Sequence, residues 1–293
     1  MAEKRAVVYG KALAAVVVWG ASFIVTKLAL RDLTPMTVVW LRFMIGLPVL
    51  AVAMVRRREL ALPAPRDMLT FAVLGFLGIT FHQWLQANGL VTARATTTAW
   101  IVATIPVFIV LLGRFFLKEK LGWGRTIGIV LAALGVVLVV SRGDLKLLVS
   151  GQFGTKGDFL VLISAVNWAL FSVLSRNALG RHPASRMMFY VMAFACLFNT
   201  FFFLAGPEPA ELLRMTPFTW TAVAFLGLFC SGLAYIFWFD ALKALPVSQA
   251  GAFLYIEPLV AMAVAAVVLK ESMTIPSLAG GAVILLGVWL VNR

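Results

Sequence analysis

The 293 residues are 62% hydrophobic and only 13% charged, whereas soluble globular chains run at roughly 45–50% and 25%. With a mean hydropathy of +0.99, this excludes soluble enzymes and secreted domains and predicts an all-α integral membrane protein. The net charge of +13 does not point to nucleic acid as a partner. Its Lys and Arg sit between apolar runs, where they orient a chain in a bilayer, and leave no basic stripe for phosphates. Cys196 and Cys230 lie inside apolar runs without a CxxC and read as packing residues. No metal or cofactor motif is present.

Lys4, Arg5 and Lys11 before Ala12 to Trp19 imitate a signal peptide. The apolar run continues to about Leu30 with no small-residue cleavage site, so it reads as a retained first span. A bilayer core of about 30 Å needs about 20 helical residues at about 1.5 Å each. Cutting at charges, prolines and polar clusters predicts ten spans: 9–30, 36–55, 68–90, 95–116, 123–141, 158–179, 187–205, 217–241, 247–268 and 275–292. The longest connection, Arg142 to Gly157, divides one membrane domain into a first five-helix repeat (1–146), a linker (147–157) and a second repeat (158–293). With the N-terminus inside, sixteen of the 25 Lys and Arg fall on the inner side, which predicts that both termini are cytoplasmic.

The halves are related. At a shift of 152 residues Gly75 meets Gly227, Leu90 meets Leu242, Pro106 meets Pro258, and Leu117-Lys118-Glu119 meets Leu269-Lys270-Glu271. Gly128 meets Gly280 and Gly135 meets Gly287. At 149, Trp19 meets Trp168 and Lys27 meets Arg176. Five spans per half is an odd number, so the second copy must enter the membrane upside down. Inverted repeats are the architecture of secondary transporters, with a substrate site near the midplane.

Trp19-Gly20, Ser22-Phe23 and Lys27, then Leu41-Arg42-Phe43, resemble the opening of the drug/metabolite transporter superfamily, EamA type. Leu117-Lys118-Glu119, Ile256-Glu257-Pro258 and Leu269-Lys270-Glu271 resemble its repeat ends. The resemblance spans the chain and implies exporters of amino acids, metabolite permeases or, more distantly, sugar and nucleotide-sugar carriers. His82-Gln83-Trp84 and the aromatic content are similar to bacterial aromatic amino-acid exporters.

In the third span, Gly75, Gly78, His82, Gln86 and Gly89 share one helical face. Polar groups there should look inward, so His82 and Gln86 are candidate substrate contacts, although a histidine satisfied by a neighbouring carbonyl is the alternative. Trp19, Ser22, Trp100, Trp168, Tyr235 and Tyr255 complete the candidate set, because indole and phenol rings suit an amphipathic solute. Trp238 shares a face with Tyr235 and Ser231. Trp40, Trp220 and Trp289, near span ends, read as interface residues. Glu257 sits mid-span beside Pro258. It either couples protons to transport or hydrogen-bonds backbone that the proline frees. Pro106 and Pro258 are candidate hinges, and glycines 20, 75, 78, 227 and 232 would let helices slide.

Thr96, Thr97 and Thr98, with Ser248 and Gln249 opposite, open their spans as caps or as dipole ends facing an anion. Lys118-Glu119 and Lys270-Glu271 read as interface anchors. Lys27 and Arg42 are expected to snorkel outward, with Arg42 bracing the second span. The expected function is export of amino acids, aromatic ones within a broad range, across the bacterial inner membrane by alternating access. Sugar or nucleotide-sugar transport is the alternative within carriers. It is disfavoured because no Lys or Arg falls near the middle of a span to hold phosphate. A channel is the less favoured alternative. An intramembrane enzyme is disfavoured by the absence of HExxH and by having only His82 and His182.

Overall fold

The computed structural model describes residues 2–59, 61–117, 122–144, 154–206, 208–245 and 253–291. Among them there is helix and no strand. α1 is Ala2–Ala29 and α2 is Pro35–Arg56. α3 is Pro65–Thr92. α4 comprises Ala95–Val102 and Ile105–Leu117. α5 is Trp123–Val140, α6 Lys156–Leu179 and α7 Ala184–Ala205. α8 runs through Pro217–Phe225, Leu226–Leu233 and Ala234–Ala244. α9 is Leu254–Val268 and α10 is Ile275–Val291.

By length and composition α1 to α8 can each cross a membrane, whereas α9 and α10 are shorter apolar helices. At about 1.5 Å per residue, the 17 residues of α10 reach about 25 Å. Predicted and observed helices otherwise coincide within a few residues, except that the first begins at Ala2 and not at 9, and the predicted start of the ninth, at 247, lies outside the described residues. The expectations for Lys118-Glu119, for Ser248 and Gln249, and for most of the linker lie outside the described residues.

Local chemistry explains the helix starts. Thr34 and Thr216 cap α2 and α8 by accepting from the amides of Thr37 and Thr219, with Pro35 and Pro217 in the first turn. Both candidate hinge prolines follow an interruption. Pro106 comes after the break at Ala103 and Thr104 in α4, and Pro258 comes after a 3₁₀ turn, Leu254–Ile256. Proline lacks the N–H that would bond back across that turn and crowds the carbonyl four residues earlier.

Two features lay outside the sequence reading. α3 and α8 each contain a π-helical segment, Phe76–Phe81 and Leu226–Leu233. Extra residues per turn rotate everything that follows around the helix. The second feature is reciprocity of packing. α2 packs on the π segment of α8, and α7 packs on α3. α3 packs on α6, and α8 on α1. α4 packs on α6, and α9 on α1. α5 and α10 pair with each other. Every contact named between the halves returns with the halves exchanged. Large apolar side chains on the outside, such as Ile127, Val130, Leu134, Leu197, Phe201 and Leu204, are exposed, as a lipid-facing surface requires.

Candidate functional site

A cavity of about 110 Å³ lies between the halves, walled by α1 to α4 from the first and by α6, α8 and α9 from the second. From α1 come Trp19 and Ser22. The Trp19 indole N–H donates to the Cys230 carbonyl at 3.0 Å. Its ring lies 5.5 Å from both Tyr235, edge-on, and Trp238. Ser22 donates to the Trp19 carbonyl at 2.7 Å, so that hydroxyl reaches the cavity only as an acceptor.

His82, Gln83 and Gln86 project from α3 directly after its π segment. His82 Nδ1 lies 3.0 Å from the Ser164 carbonyl. A carbonyl only accepts, so Nδ1 carries the proton, and in the neutral ring Nε2 is left as an acceptor. His82 is therefore satisfied by a carbonyl, the alternative the sequence offered, and it also lines the cavity. Trp168 of α6 lies 4.8 Å from the His82 ring. Tyr235 enters from α8, and Tyr255, Glu257 and Pro258 from α9, opposite Pro106 of α4.

Trp100 does not belong to this set. It is 2% exposed and absent from the cavity wall. Its ring fills the space over Gly281 of α10, where an added Cβ would lie 2.3 Å from the indole. One helical residue turns it away from Ala99, which does line the cavity. The glycines of α3 serve docking. A Cβ on Gly75 would strike the Val191 backbone of α7, one on Gly78 the Phe171 ring, and one on Gly89 the Val161 side chain of α6.

Arg42 corrects the expectation that it snorkels outward. It is 5% exposed and lines the cavity. Its Nε donates to Ser231 Oγ and its Nη1 to Gln83 Oε1, each at 3.0 Å. It does brace α2, against both α8 and α3. Gln83 and Arg42 are the polar cavity residues that sequence reasoning left out of the candidate set. The register shift of the π segments hid them, because it brings Gln83 and Ser231 round to meet the guanidinium. The Glu257 carboxylate makes no hydrogen bond or ion pair among the described residues, so the backbone-repair role is not observed.

Elsewhere, the start of α4 is capped by no threonine. Arg94 occupies the cap position without a side-chain capping bond. The cap comes from Glu271, which accepts from Ala95 N (3.0 Å), Thr96 N (3.2 Å) and Thr96 Oγ1 (2.8 Å). A carboxylate at a helix start meets both orphan amides and the dipole. Lys27 donates to the Ala93 carbonyl at the same corner instead of snorkelling. Trp40 is a packing residue, stacked on Phe203 at 4.0 Å and bonded to Thr200 at 2.9 Å. Cys196 and Cys230 are buried and free, as expected of packing residues. Among the described residues, no three His, Cys, Asp or Glu are grouped to hold a metal ion.

The chain resembles known transporters along its length. An uncharacterized transporter of Archaeoglobus fulgidus is 28% identical over 275 residues, covering 94% of this chain and 93% of that one. A probable terminal-alkyne amino-acid exporter of Streptantibioticus cattleyicolor is 30% identical over 233 residues, covering 79% and 75%. A crystal structure described only as that of a protein shares the fold, with a TM-score of 0.68 at 22% identity and 96% and 94% coverage. The model of the EamA-like transporter family matches twice, over residues 7–141 and 155–293. With its helices, its apolar exterior and a cavity between its halves, this chain is a multi-pass membrane protein that belongs to the EamA-like transporter family.

Proposed function

We propose that the protein exports amino acids, aromatic ones within a broad range, across the inner membrane by alternating access. The observation that carries this reading is the composition of the cavity wall. Trp19, Trp168, Tyr235 and Tyr255 supply ring surface, and His82, Gln86, Arg42 and Glu257 supply polar groups in the same space. Rings suit an apolar side chain, and the polar groups suit the ammonium and carboxylate that every amino acid carries. The name of the Streptantibioticus relative, an amino-acid exporter, supports the same substrate class. A phosphorylated sugar is a poorer fit. Phosphate binding calls for several cations, and the cavity offers Arg42, already committed to two acceptors, with the Glu257 carboxylate on another wall of the same cavity.

In this reading all ten helices span, both termini are cytoplasmic, and residues 1–146 and 158–293 are inverted repeats joined by 147–157. The exchanged packing of α2 on α8 with α7 on α3 supports the inversion. The repeats rock about the central cavity, with bends at Pro106 and Pro258. The test is flux of labelled tryptophan, phenylalanine, threonine and alanine in proteoliposomes, with and without a pH gradient. Saturable flux of several members is expected. Flux no greater than in empty liposomes overturns the amino-acid reading, flux that does not saturate points to a channel, and the pH arm decides whether protons are a partner. Locking the halves together on either face by crosslinking should abolish flux, and undiminished flux would count against rocking.

A further inference from the structure

Two ionisable side chains of opposite sign line the central cavity without meeting each other. Arg42 stands on the wall made by α2, α3 and α8. A guanidinium has five N–H donors. One each at Nε and Nη1 goes to the neutral oxygens of Ser231 and Gln83, which fixes the plane of the group and leaves three donors without a partner among the described residues. No carboxylate among the described residues pairs with it. The other pole, Glu257, stands on the α9 wall, in the first turn of the helix Glu257–Val268, where the helix dipole favours an anion. Its backbone is pinned by α1. A Cβ on Gly20 would lie 2.7 Å from the Glu257 carbonyl oxygen, so α1 and α9 are in close contact there and the backbone that carries the carboxylate is held by packing.

An unpaired charge within a membrane-spanning bundle is costly. A ligand with a single charge offsets one and leaves the other. A ligand carrying both offsets both.

We propose that Arg42 and Glu257 are the two poles of a zwitterion site, the Arg42 guanidinium receiving the α-carboxylate of the transported amino acid and Glu257 receiving its α-ammonium. The proposal rests on the amino-acid reading above and adds to it the substrate class, α-zwitterions with a free amine and a free acid, and the groups that select it. The rings of Trp19, Trp168 and Tyr235 are left for the side chain, which explains tolerance of different side chains beside strict demand for the backbone groups. His82 and Gln86 contribute neutral hydrogen bonds and do not decide charge.

The test uses the full chain in detergent, with quenching of intrinsic tryptophan fluorescence as the readout, since Trp19 and Trp168 line the cavity. Phenylalanine, N-acetyl-phenylalanine and phenylalanine methyl ester are titrated. A hydrogen bond to a charged group is worth about 1.5–3 kcal/mol, so removing either pole of the ligand should weaken binding about 10- to 100-fold. Glu257→Gln should weaken phenylalanine by a similar factor and leave N-acetyl-phenylalanine unchanged, so that the preference collapses. Arg42→Gln should do the same for the methyl ester. Glu257→Asp and Arg42→Lys keep the charges and should keep most of the preference, which guards against variants that merely misfold.

Equal binding of all three ligands by the unsubstituted protein overturns the zwitterion site while amino-acid flux leaves the export reading standing. A parallel loss for phenylalanine and its derivative in each Gln variant overturns it too, by making the two side chains structural. Absence of any quenching or flux with amino acids overturns both readings together.

Discussion

Gly128 and Gly287 meet where α5 crosses α10, so closely that a Cβ on either would lie 2.6 Å from the other's carbonyl oxygen. Gly135 and Gly280 repeat the contact at 2.7 and 2.9 Å. Under the 152-residue shift Gly128 corresponds to Gly280 and Gly135 to Gly287. The two crossings are therefore the same contact with the halves exchanged. Without a hydrophobic force between helices in lipid, close backbone approach at small residues is a principal source of helix association.

Gly135→Val should therefore separate α5 from α10. Two of the three nearest atoms, Gly280 O and Ile284 N, are backbone and cannot give way, so the cost should be about 1–3 kcal/mol, the range for overpacking. Gly124→Ala lies on the same helix with nothing within 4 Å of the added Cβ and should be neutral. Thermal unfolding followed by size-exclusion fluorescence compares the two, and equal melting temperatures would refute a packing role for this crossing.

Glu271 is a cap borrowed from the other half of the chain. Glu271→Ala leaves the Ala95 and Thr96 amides without the carboxylate and frees Arg94, which lies 3.6 Å from it. Loss of an N-terminal cap costs about 0.5–2 kcal/mol. Hydrogen exchange at Ala95 and Thr96 should accelerate, while the amides of α5 should not change. Unaltered exchange at both residues would mean that another group holds the start of α4.

Asp240 of α8 ties three helices together, pairing with Lys11 of α1 and with Arg57, the residue just past α2, each at 2.7 Å. Exposed pairs are worth about 0.2–1 kcal/mol each. Asp240→Asn should lower stability by up to about 2 kcal/mol, and the difference from wild type should shrink in high salt, which screens surface charge. A salt-independent difference would point to packing instead.

The helices and their order were legible because hydropathy and turn residues act locally. The glycine pairs of α5 and α10 were legible because the shift of 152 aligns them. Seven of the eight predicted substrate contacts line the cavity, since inward polarity and aromatic character follow from the bilayer. Trp100 was misplaced, because facing the core and facing the cavity differ by one residue of rotation. Arg42 and Gln83 were missed for a related reason. The π segments at Phe76–Phe81 and Leu226–Leu233 break the 3.6-residue period on which any face assignment depends. Glu271 was read as a loop anchor because its partners lie 175 and 176 residues away.

Trp19 has two separable roles, a hydrogen bond to Cys230 and a ring on the cavity wall. Trp19→Phe keeps ring surface beside Tyr235 and removes the indole N–H. It should cost about 1 kcal/mol of stability with little change in the KM for phenylalanine. Trp19→Ala removes both. Aromatic pairs are worth about 0.5–1.5 kcal/mol beyond their buried area, so the KM for phenylalanine should rise by about 2- to 10-fold, with that for alanine nearly constant. Parallel increases for the two substrates would show that the ring holds the shape of the cavity without touching the side chain. An unchanged KM for phenylalanine in Trp19→Ala would remove Trp19 from the site altogether.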